Sequence, residues 1–158
     1  MYQWDPTVDN FKNLALCPIS FTSATESNEP RGPIAMAIRV LVADDNRLIR
    51  KQIRTIVESD TELEVCAEAV NGLEAVQKAQ ESCPDVAIID FQMPVMDGLK
   101  ATRRIKRLMP FLPVLLFTLC SSPQLEWESK QAGANAVLSK AVGSTGLSEV
   151  IHSLLQNH

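Results

Sequence analysis

The chain lacks several features that would indicate common classes of protein. It has 15 Lys and Arg against 19 Asp and Glu, and this formal net charge of -4 argues against nucleic acid as its main partner. No apolar run approaches the length of a membrane span, so we expect no membrane partner. The four cysteines form no C-x-x-C spacing, and we expect idle thiols in a cytoplasmic protein. The length of 158 residues suits one well-packed domain.

The beginning of the chain lacks the periodicity of packed elements. Much of it is rich in Ser, Thr, Asn, Glu, Pro and Gly, a composition that cannot bury enough apolar surface to become ordered. We therefore expect residues 1–35 to be a disordered extension, or translation to start at Met36. Residues 36–158 are then the folded domain. The alternative is a short docking segment that uses Trp4, Phe11 and Leu14.

Short apolar runs alternate with amphipathic segments in the rest of the chain. Three of the runs, IRVLVA, VAIID and VLLFT, are nearly continuously apolar, as in strands that are covered on both faces. The predicted strands are Ile38–Ala43, Leu63–Ala69, Val86–Asp90, Val114–Thr118 and Ala136–Ser139. A segment with helical periodicity follows each of them. This order predicts an α/β fold with a doubly wound, five-stranded parallel sheet of the flavodoxin-like (βα)5 type.

Two of the predicted helices carry basic residues beside their apolar stripe. In the first helix the apolar residues are Leu48, Ile49, Ile53, Ile56 and Val57, with Arg50, Lys51 and Arg54 elsewhere on the wheel. The third helix has the same pattern among Lys100, Arg103, Arg104, Lys106 and Arg107. A nucleic-acid patch is one interpretation. Because no aromatic residues are interleaved and acidic residues lie nearby, we interpret both as solvated faces.

Acidic residues end two of the apolar runs. Asp44 and Asp45 follow the first strand, and Asp90 ends the third. Because a buried ionised carboxylate without a partner is too costly, these side chains are expected to share the ligand-binding edge at the carboxyl ends of parallel strands. Clustered carboxylates repel each other unless a cation lies among them, and an all-oxygen site suits Mg²⁺. The sequence therefore predicts a divalent metal site.

Two further residues at strand ends complete a set suited to phosphoryl transfer. Asp90 is a possible nucleophile that can form an acyl phosphate. Lys140 follows the fifth strand and can bind a phosphate, and the Thr118 hydroxyl at the end of the fourth strand can donate to another oxygen. Asp44 and Asp45 can hold the magnesium that neutralises the transferring group.

The same residues carry a family resemblance. VLVADDN, VAIIDFQMPVMDGL, VLLFT and AVLSK resemble, in order and separation, the receiver domain of bacterial two-component response regulators (CheY-like). The resemblance covers about residues 38–156. The combination of an Asp pair, Asp-x-x-Met-Pro-x-Met-Asp-Gly, Thr and Lys is specific. The chain stops after the fifth helix, so no output domain is expected to follow.

The resemblance implies a role for each site residue. Asp90 would accept a phosphoryl group from a phosphohistidine on a sensor histidine kinase or phosphotransfer protein. Asp45, Asp90 and the backbone carbonyl of Gln92 would ligate Mg²⁺, with Asp44 acting through metal-bound water. Thr118 and Lys140 would contact the phosphate. The downstream protein is not specified, and such a domain catalyses only its own phosphorylation and dephosphorylation.

Besides Gln92 and Cys120, which flank the acceptor, three positions depart from the family pattern. Val137 replaces the usual aromatic switch residue, Ala141 replaces the proline after the lysine, and Leu119 stands where a small residue is usual. These departures support an alternative, a receiver-like protein-binding scaffold without a phosphorylation cycle. A second alternative is a phosphatase of the haloacid-dehalogenase type. That class requires an acidic residue two positions after its nucleophile, where this chain has Gln92.

Overall fold

The alternation of strands and helices in the sequence is present in three dimensions. The computed structural model describes residues 37–119, 122–141 and 144–156, so the expected N-terminal extension lies outside the described residues. The elements in chain order are β1 (Ile38–Ala43), α1 (Arg47–Glu58), β2 (Leu63–Ala69), α2 (Gly72–Ser82), β3 (Val86–Asp90), α3 (Gly98–Leu108), β4 (Val114–Thr118), α4 (Pro123–Ala132), β5 (Ala136–Ser139) and α5 (Ser144–Gln156).

All the strand pairs are parallel, and the strand order is β2-β1-β3-β4-β5. This confirms the doubly wound, five-stranded flavodoxin-like sheet. The chain reverses its direction across the sheet between β2 and β3, so β1 and β3 are neighbours. In sheets of this kind the crevice beside such a reversal is the usual ligand site.

Each face of the sheet has its own apolar core. Alternate residues of the central strands point to opposite faces. One core joins α2, α3 and α4 to residues such as Leu41 and Ile89, and the other joins α1 and α5 to residues such as Val42 and Ile88. These four side chains are fully buried. Because helices cover both faces of the central strands, the sequences of these strands are nearly continuously apolar and do not alternate between apolar and polar residues.

Local signals in the sequence place the ends of the helices. Asp97 caps α3 by accepting a hydrogen bond from the Lys100 N–H at 2.8 Å. Gly133 ends α4 with φ of 91°, a left-handed conformation that glycine adopts without strain. Within the described residues, no helix combines the length and apolar character needed to cross a membrane.

Three expectations from the sequence are wrong. Leu48, which we placed in the apolar stripe of α1, is 70% exposed in the first turn of that helix. Arg50, which we placed on a solvated face, has a side chain only 12% exposed. Cys83 is disulfide-bonded, whereas Cys66 is a free, half-buried thiol whose pKa is raised by burial.

Candidate functional site

The three predicted acidic residues lie together at the carboxyl edge of the sheet. Because Ala43 of β1 pairs with Ile89 of β3, the next residue of each segment, Asp44 and Asp90, lies beside the other. One carboxylate oxygen from each of Asp44, Asp45 and Asp90 lies within 4.8 Å of the others. Asp44 and Asp90 are buried, and Asp45 is exposed. The site therefore has two fixed carboxylates and one that faces solvent.

Lys140 is the cation that balances the buried pair. Its Nζ lies 2.6 Å from Asp44 Oδ2 and 2.8 Å from Asp90 Oδ1, and its side chain is only 8% exposed. The backbone N–H of Lys140 donates to the Thr118 carbonyl at 2.7 Å, so the end of β4 sets the position of the lysine. Residues 96 positions apart in the chain are thus joined by a charge-assisted hydrogen bond.

For both Asp90 and Lys140, burial and the ion pair between them act on the pKa in opposite directions. Burial raises the pKa of Asp90, and this effect outweighs the hydrogen bond and positive charge of Lys140, which lower it. For Lys140, burial lowers the pKa, but the hydrogen bonds and charges of Asp44 and Asp90 together outweigh burial and raise it. The lysine therefore stays charged inside the site. Asp90 is largely held out of water, beside a positive charge.

Both carboxylate oxygens of Asp44 already have protein partners. Oδ1 accepts a hydrogen bond from the Asn46 N–H at 2.8 Å, and Oδ2 accepts one from Lys140. Asp44 is also only 1% exposed. Its carboxylate is therefore less available to a metal than that of Asp45, whose side chain has no hydrogen bond to another described residue.

Arg50 binds the backbone of Asp44 and Asp45, a role that the sequence did not indicate. Its Nη1 donates to the carbonyls of Asp44 at 2.9 Å and Asp45 at 3.3 Å, while its Nε donates to Glu68 Oε2 at 3.2 Å. Glu68 in turn accepts from Arg54. The pairing of Arg50 and Arg54 with a glutamate on β2 follows from the sheet order, so no local sequence signal identifies it.

The acidic residues lie at one side of an open cleft of about 690 Å³. Thr118, which is 5% exposed, and Gln92 line this cleft as predicted, together with Leu119. The cleft thus brings together all the residues that the sequence identified: Asp44, Asp45, Asp90, Gln92, Thr118 and Lys140. Glu128 of α4 also lines it and was not foreseen.

The positions that depart from the family pattern are ordinary in their packing. Val137 pairs with Leu116 across the strands and packs against the core under α2, α3 and α4. Leu119 is 73% exposed at the rim of the cleft. The Ala141 N–H donates to Ser139 Oγ at 3.2 Å. Met93 is buried and Met96 packs against the same core, as expected of packing residues.

Gly98 fixes the backbone of Asp90 through a close approach. An added Cβ at Gly98 would lie 2.2 Å from the Asp90 carbonyl oxygen, a distance that no side chain tolerates. The Gly98 N–H also donates to the Phe91 carbonyl at 3.0 Å. The start of α3 therefore rests directly against the residue that ends β3, and only glycine allows it.

We expect Gly98→Ala to lower the free energy of unfolding by roughly 1–3 kcal/mol, as overpacking does, and to displace Asp90. Urea denaturation measures the first effect, and the phosphorylation rate per folded molecule measures the second. Gly72→Ala is the matched control, because its Cβ would lie 2.3 Å from the Met96 carbonyl instead. Equal phosphorylation rates of the two variants would contradict a specific role of Gly98 at Asp90.

The donor set of the acidic cluster fits a magnesium ion. Mg²⁺ takes oxygen ligands at about 2.0–2.1 Å in octahedral geometry, so oxygens on one ion lie up to about 4.2 Å apart. The separations of at most 4.8 Å in the cluster need only small side-chain adjustments to meet this geometry. The absence of nitrogen and sulfur ligands in this cluster favours magnesium over zinc.

Known proteins are similar to this chain in sequence. The chain is 42% identical over 122 residues to a protein-glutamate methylesterase/protein-glutamine glutaminase of Carboxydothermus hydrogenoformans, covering 75% of this chain and 34% of that relative. It is 49% identical over 83 residues to the Aliivibrio fischeri protein of the same name, covering 52% of this chain and 22% of that relative. The chain thus spans about a third or less of the length of these curated relatives.

Solved structures agree in fold. The response regulator domain of Thermotoga maritima CheB superposes with a TM-score of 0.68 at 30% identity, covering 76% of this chain and 95% of that one. The receiver domain of a putative response regulator, NarL, from Mycobacterium tuberculosis gives a TM-score of 0.75 at 26% identity, covering 78% and 99%.

The family assignment rests on most of the folded part. Residues 40–152 match the family of the response regulator receiver domain. This range includes every site residue described above. The chain therefore belongs to the response regulator receiver family of two-component signalling proteins.

Proposed function

We propose that this protein is a receiver that accepts a phosphoryl group on Asp90 and signals through the conformational change that follows. The observation that carries the proposal is the contact of Asp90 with Lys140 at 2.8 Å, inside a cleft lined by two further carboxylates. A buried carboxylate beside a fixed ammonium group suits a charged acyl phosphate better than it suits a packed core. Incubation with a small phosphodonor and Mg²⁺, followed by intact mass measurement, tests this function.

In this proposal Asp90 is the nucleophile. One of its oxygens bonds to phosphorus while the bond from phosphorus to the donor nitrogen breaks, and the imidazole leaves with its electron pair. Lys140 pairs with the new phosphoryl oxygens, and the Thr118 hydroxyl donates to another of them. The burial of Asp90, at 6% exposure, limits access of water to the product.

We assign the metal ligands to Asp45, Asp90 and the backbone carbonyl of Gln92, with Asp44 acting through metal-bound water. The saturated hydrogen bonding of Asp44 supports this division, since both of its oxygens have protein donors. The ion would supply positive charge that offsets the developing charge on the phosphoryl oxygens. Asp45 is the freest of the three carboxylates to contribute a ligand.

We expect Asp45→Ala to abolish detectable Mg²⁺ binding and the phosphorylation that depends on it, since it removes the solvent-facing carboxylate. Isothermal titration calorimetry with Mg²⁺ measures the affinity. Glu81→Ala is the matched control, because Glu81 is exposed on α2 and bonds only Gln77 in the described structure. Unchanged magnesium affinity in Asp45→Ala would remove Asp45 from the ligand set.

The partners follow from the same chemistry. A sensor histidine kinase or a phosphotransfer protein supplies the phosphoryl group, and an unidentified protein reads the result, with no direct contact to nucleic acid or membrane. We place the protein in the cytoplasm, where such donors act. The curated relatives are esterases several times longer than the matched region, so the chain corresponds to their receiver part. We propose no enzymatic activity beyond its own phosphorylation and dephosphorylation.

A second candidate function is a receiver-shaped scaffold without a phosphorylation cycle. The observation that favours it is Val137, which packs into the core and has a stiff, apolar side chain in place of a movable aromatic ring. We expect phosphorylation to shift the amide resonances of α4 and β5 less in wild type than in Val137→Tyr. Nuclear magnetic resonance with a phosphoryl mimic measures this, and equal shifts would show that the missing ring does not matter.

A further inference from the structure

Positive charge is concentrated on α3 of a protein that is acidic overall. Five of the 11 residues of this helix are basic, namely Lys100, Arg103, Arg104, Lys106 and Arg107, and none is acidic. The whole chain has a formal net charge of -4. The positive charge of α3 is therefore opposite in sign to the net charge of the chain, and it requires its own explanation.

The arginines of α3 are not balanced within the molecule. Among the described residues, Arg103, Arg104 and Arg107 form no ion pair within 4.0 Å, although Arg103 does help to lower the pKa of Asp97. By contrast, Arg50 and Arg54 of α1 both pair with Glu68. Two of the three arginines of α1 are thus paired with acidic residues, whereas among the described residues none of the three arginines of α3 is.

Helix stability does not account for this pattern. Like charges three and four residues apart, as at Lys100 and Arg104 or Arg103 and Arg107, destabilise a helix. The helix dipole favours basic residues in the last turn, which explains Lys106 and Arg107 but not Arg103 and Arg104 in the middle. An anionic partner outside the chain would offset this repulsion.

The basic residues border a groove with an apolar part. Between α2 and α3 lies an open groove of about 710 Å³, here called the α3 groove, lined by Gln80, Met96, Lys100, Arg103, Arg104, Arg107 and Leu108. Leu108 is 49% exposed in it. The groove therefore places an apolar side chain beside four basic ones, those of Lys100, Arg103, Arg104 and Arg107. This combination suits an amphipathic ligand with acidic residues.

We propose that the α3 groove binds an acidic, amphipathic segment of a partner protein. The guanidinium groups of Arg104 and Arg107 present planar donor pairs that match carboxylates, and Leu108 and Met96 receive the apolar side chains between them. Nucleic acid is a poorer occupant, because the chain is acidic overall and no aromatic residue lines the groove. The proposal needs no phosphoryl group on Asp90, so it stands or fails separately from the proposed function.

Fluorescence anisotropy with labelled probes tests it on the unphosphorylated full chain. The main probe is a helical peptide with Glu on one face and Leu on the other, and the second replaces each Leu by Ser. We expect the first peptide to bind wild type saturably and to bind Arg104→Glu/Arg107→Glu about tenfold more weakly or worse. Leu108→Ser should weaken the first peptide but not the second.

The control is Arg47→Glu/Lys51→Glu, which changes the charge equally at exposed positions of α1 and should alter binding less than about twofold. Urea denaturation should show that both double variants are folded under the conditions of the binding measurement. Equal losses in the two variants would show a general charge effect and overturn the proposal. So would the absence of saturable peptide binding, or binding of a DNA duplex or phosphatidylglycerol vesicles that depends on Arg104 and Arg107.

Discussion

Asp90→Asn is expected to eliminate covalent phosphorylation while leaving the protein folded. The substitution removes the carboxylate nucleophile that lies beside Lys140 at the end of β3, and an amide cannot form a stable acyl phosphate. Wild type incubated with a small phosphodonor and Mg²⁺ should gain the mass of one phosphoryl group, and the variant none. Intact mass spectrometry measures both, and the gain should require Mg²⁺.

Asp97→Asn is the matched control for this experiment. Asp97 lies on the same loop and caps α3 through Oδ1, a bond that asparagine also makes. The control should be phosphorylated like wild type. A wild-type mass gain that persists in Asp90→Asn would assign the acceptor to another residue, and no gain in wild type would favour the scaffold.

Lys140→Ala is expected to have two opposite effects, on metal binding and on phosphorylation. In the unphosphorylated protein the ammonium group occupies oxygens of Asp44 and Asp90, so its removal leaves two buried carboxylates without their cation. Mg²⁺ should then bind more tightly. The phosphorylation yield should fall, because the acyl phosphate loses its protein cation.

The same substitution should lower the free energy of unfolding in the absence of Mg²⁺ by roughly 3–5 kcal/mol at most, since it breaks a buried ion pair. Added Mg²⁺ should restore much of this loss because it binds the folded state alone. Calorimetry and urea denaturation with and without Mg²⁺ measure these effects, with exposed Lys130→Ala as the control. Weaker Mg²⁺ binding in Lys140→Ala would mean that the lysine supports the metal site instead of competing for it.

The bounds of the central strands β1, β3 and β4 were predictable because each is a short, mostly apolar run with a clear end. A strand that is covered on both faces excludes polar residues until it reaches the sheet edge, so Asp44, Asp90 and Thr118 stand out in the sequence. The helix ends were visible for a similar reason, because Asp97 and Gly133 perform local roles. Site residues that lie directly at strand ends are therefore readable from sequence.

Contacts between distant elements could not be predicted in this way. Arg50 has the helical spacing of a surface residue, yet the position of β2 beside β1 brings Glu68 to it and turns its Nη1 toward the acidic loop. Leu48 has the spacing of a core residue, yet it is 70% exposed. In both cases the periodicity specifies a face of the helix but not what covers that face.

The sequence by itself determined the order of the elements, the apolar faces of the sheet and the set of polar residues at its carboxyl edge, because these depend on neighbours in the chain. Only the tertiary structure decided how those polar residues share their charges. The contacts of Lys140 with Asp44 and Asp90 depend on which distant segments meet, and so does the absence of ion pairs between the arginines of α3 and the other described residues. Electrostatic energy is set by distances in space, which spacing along a chain does not specify.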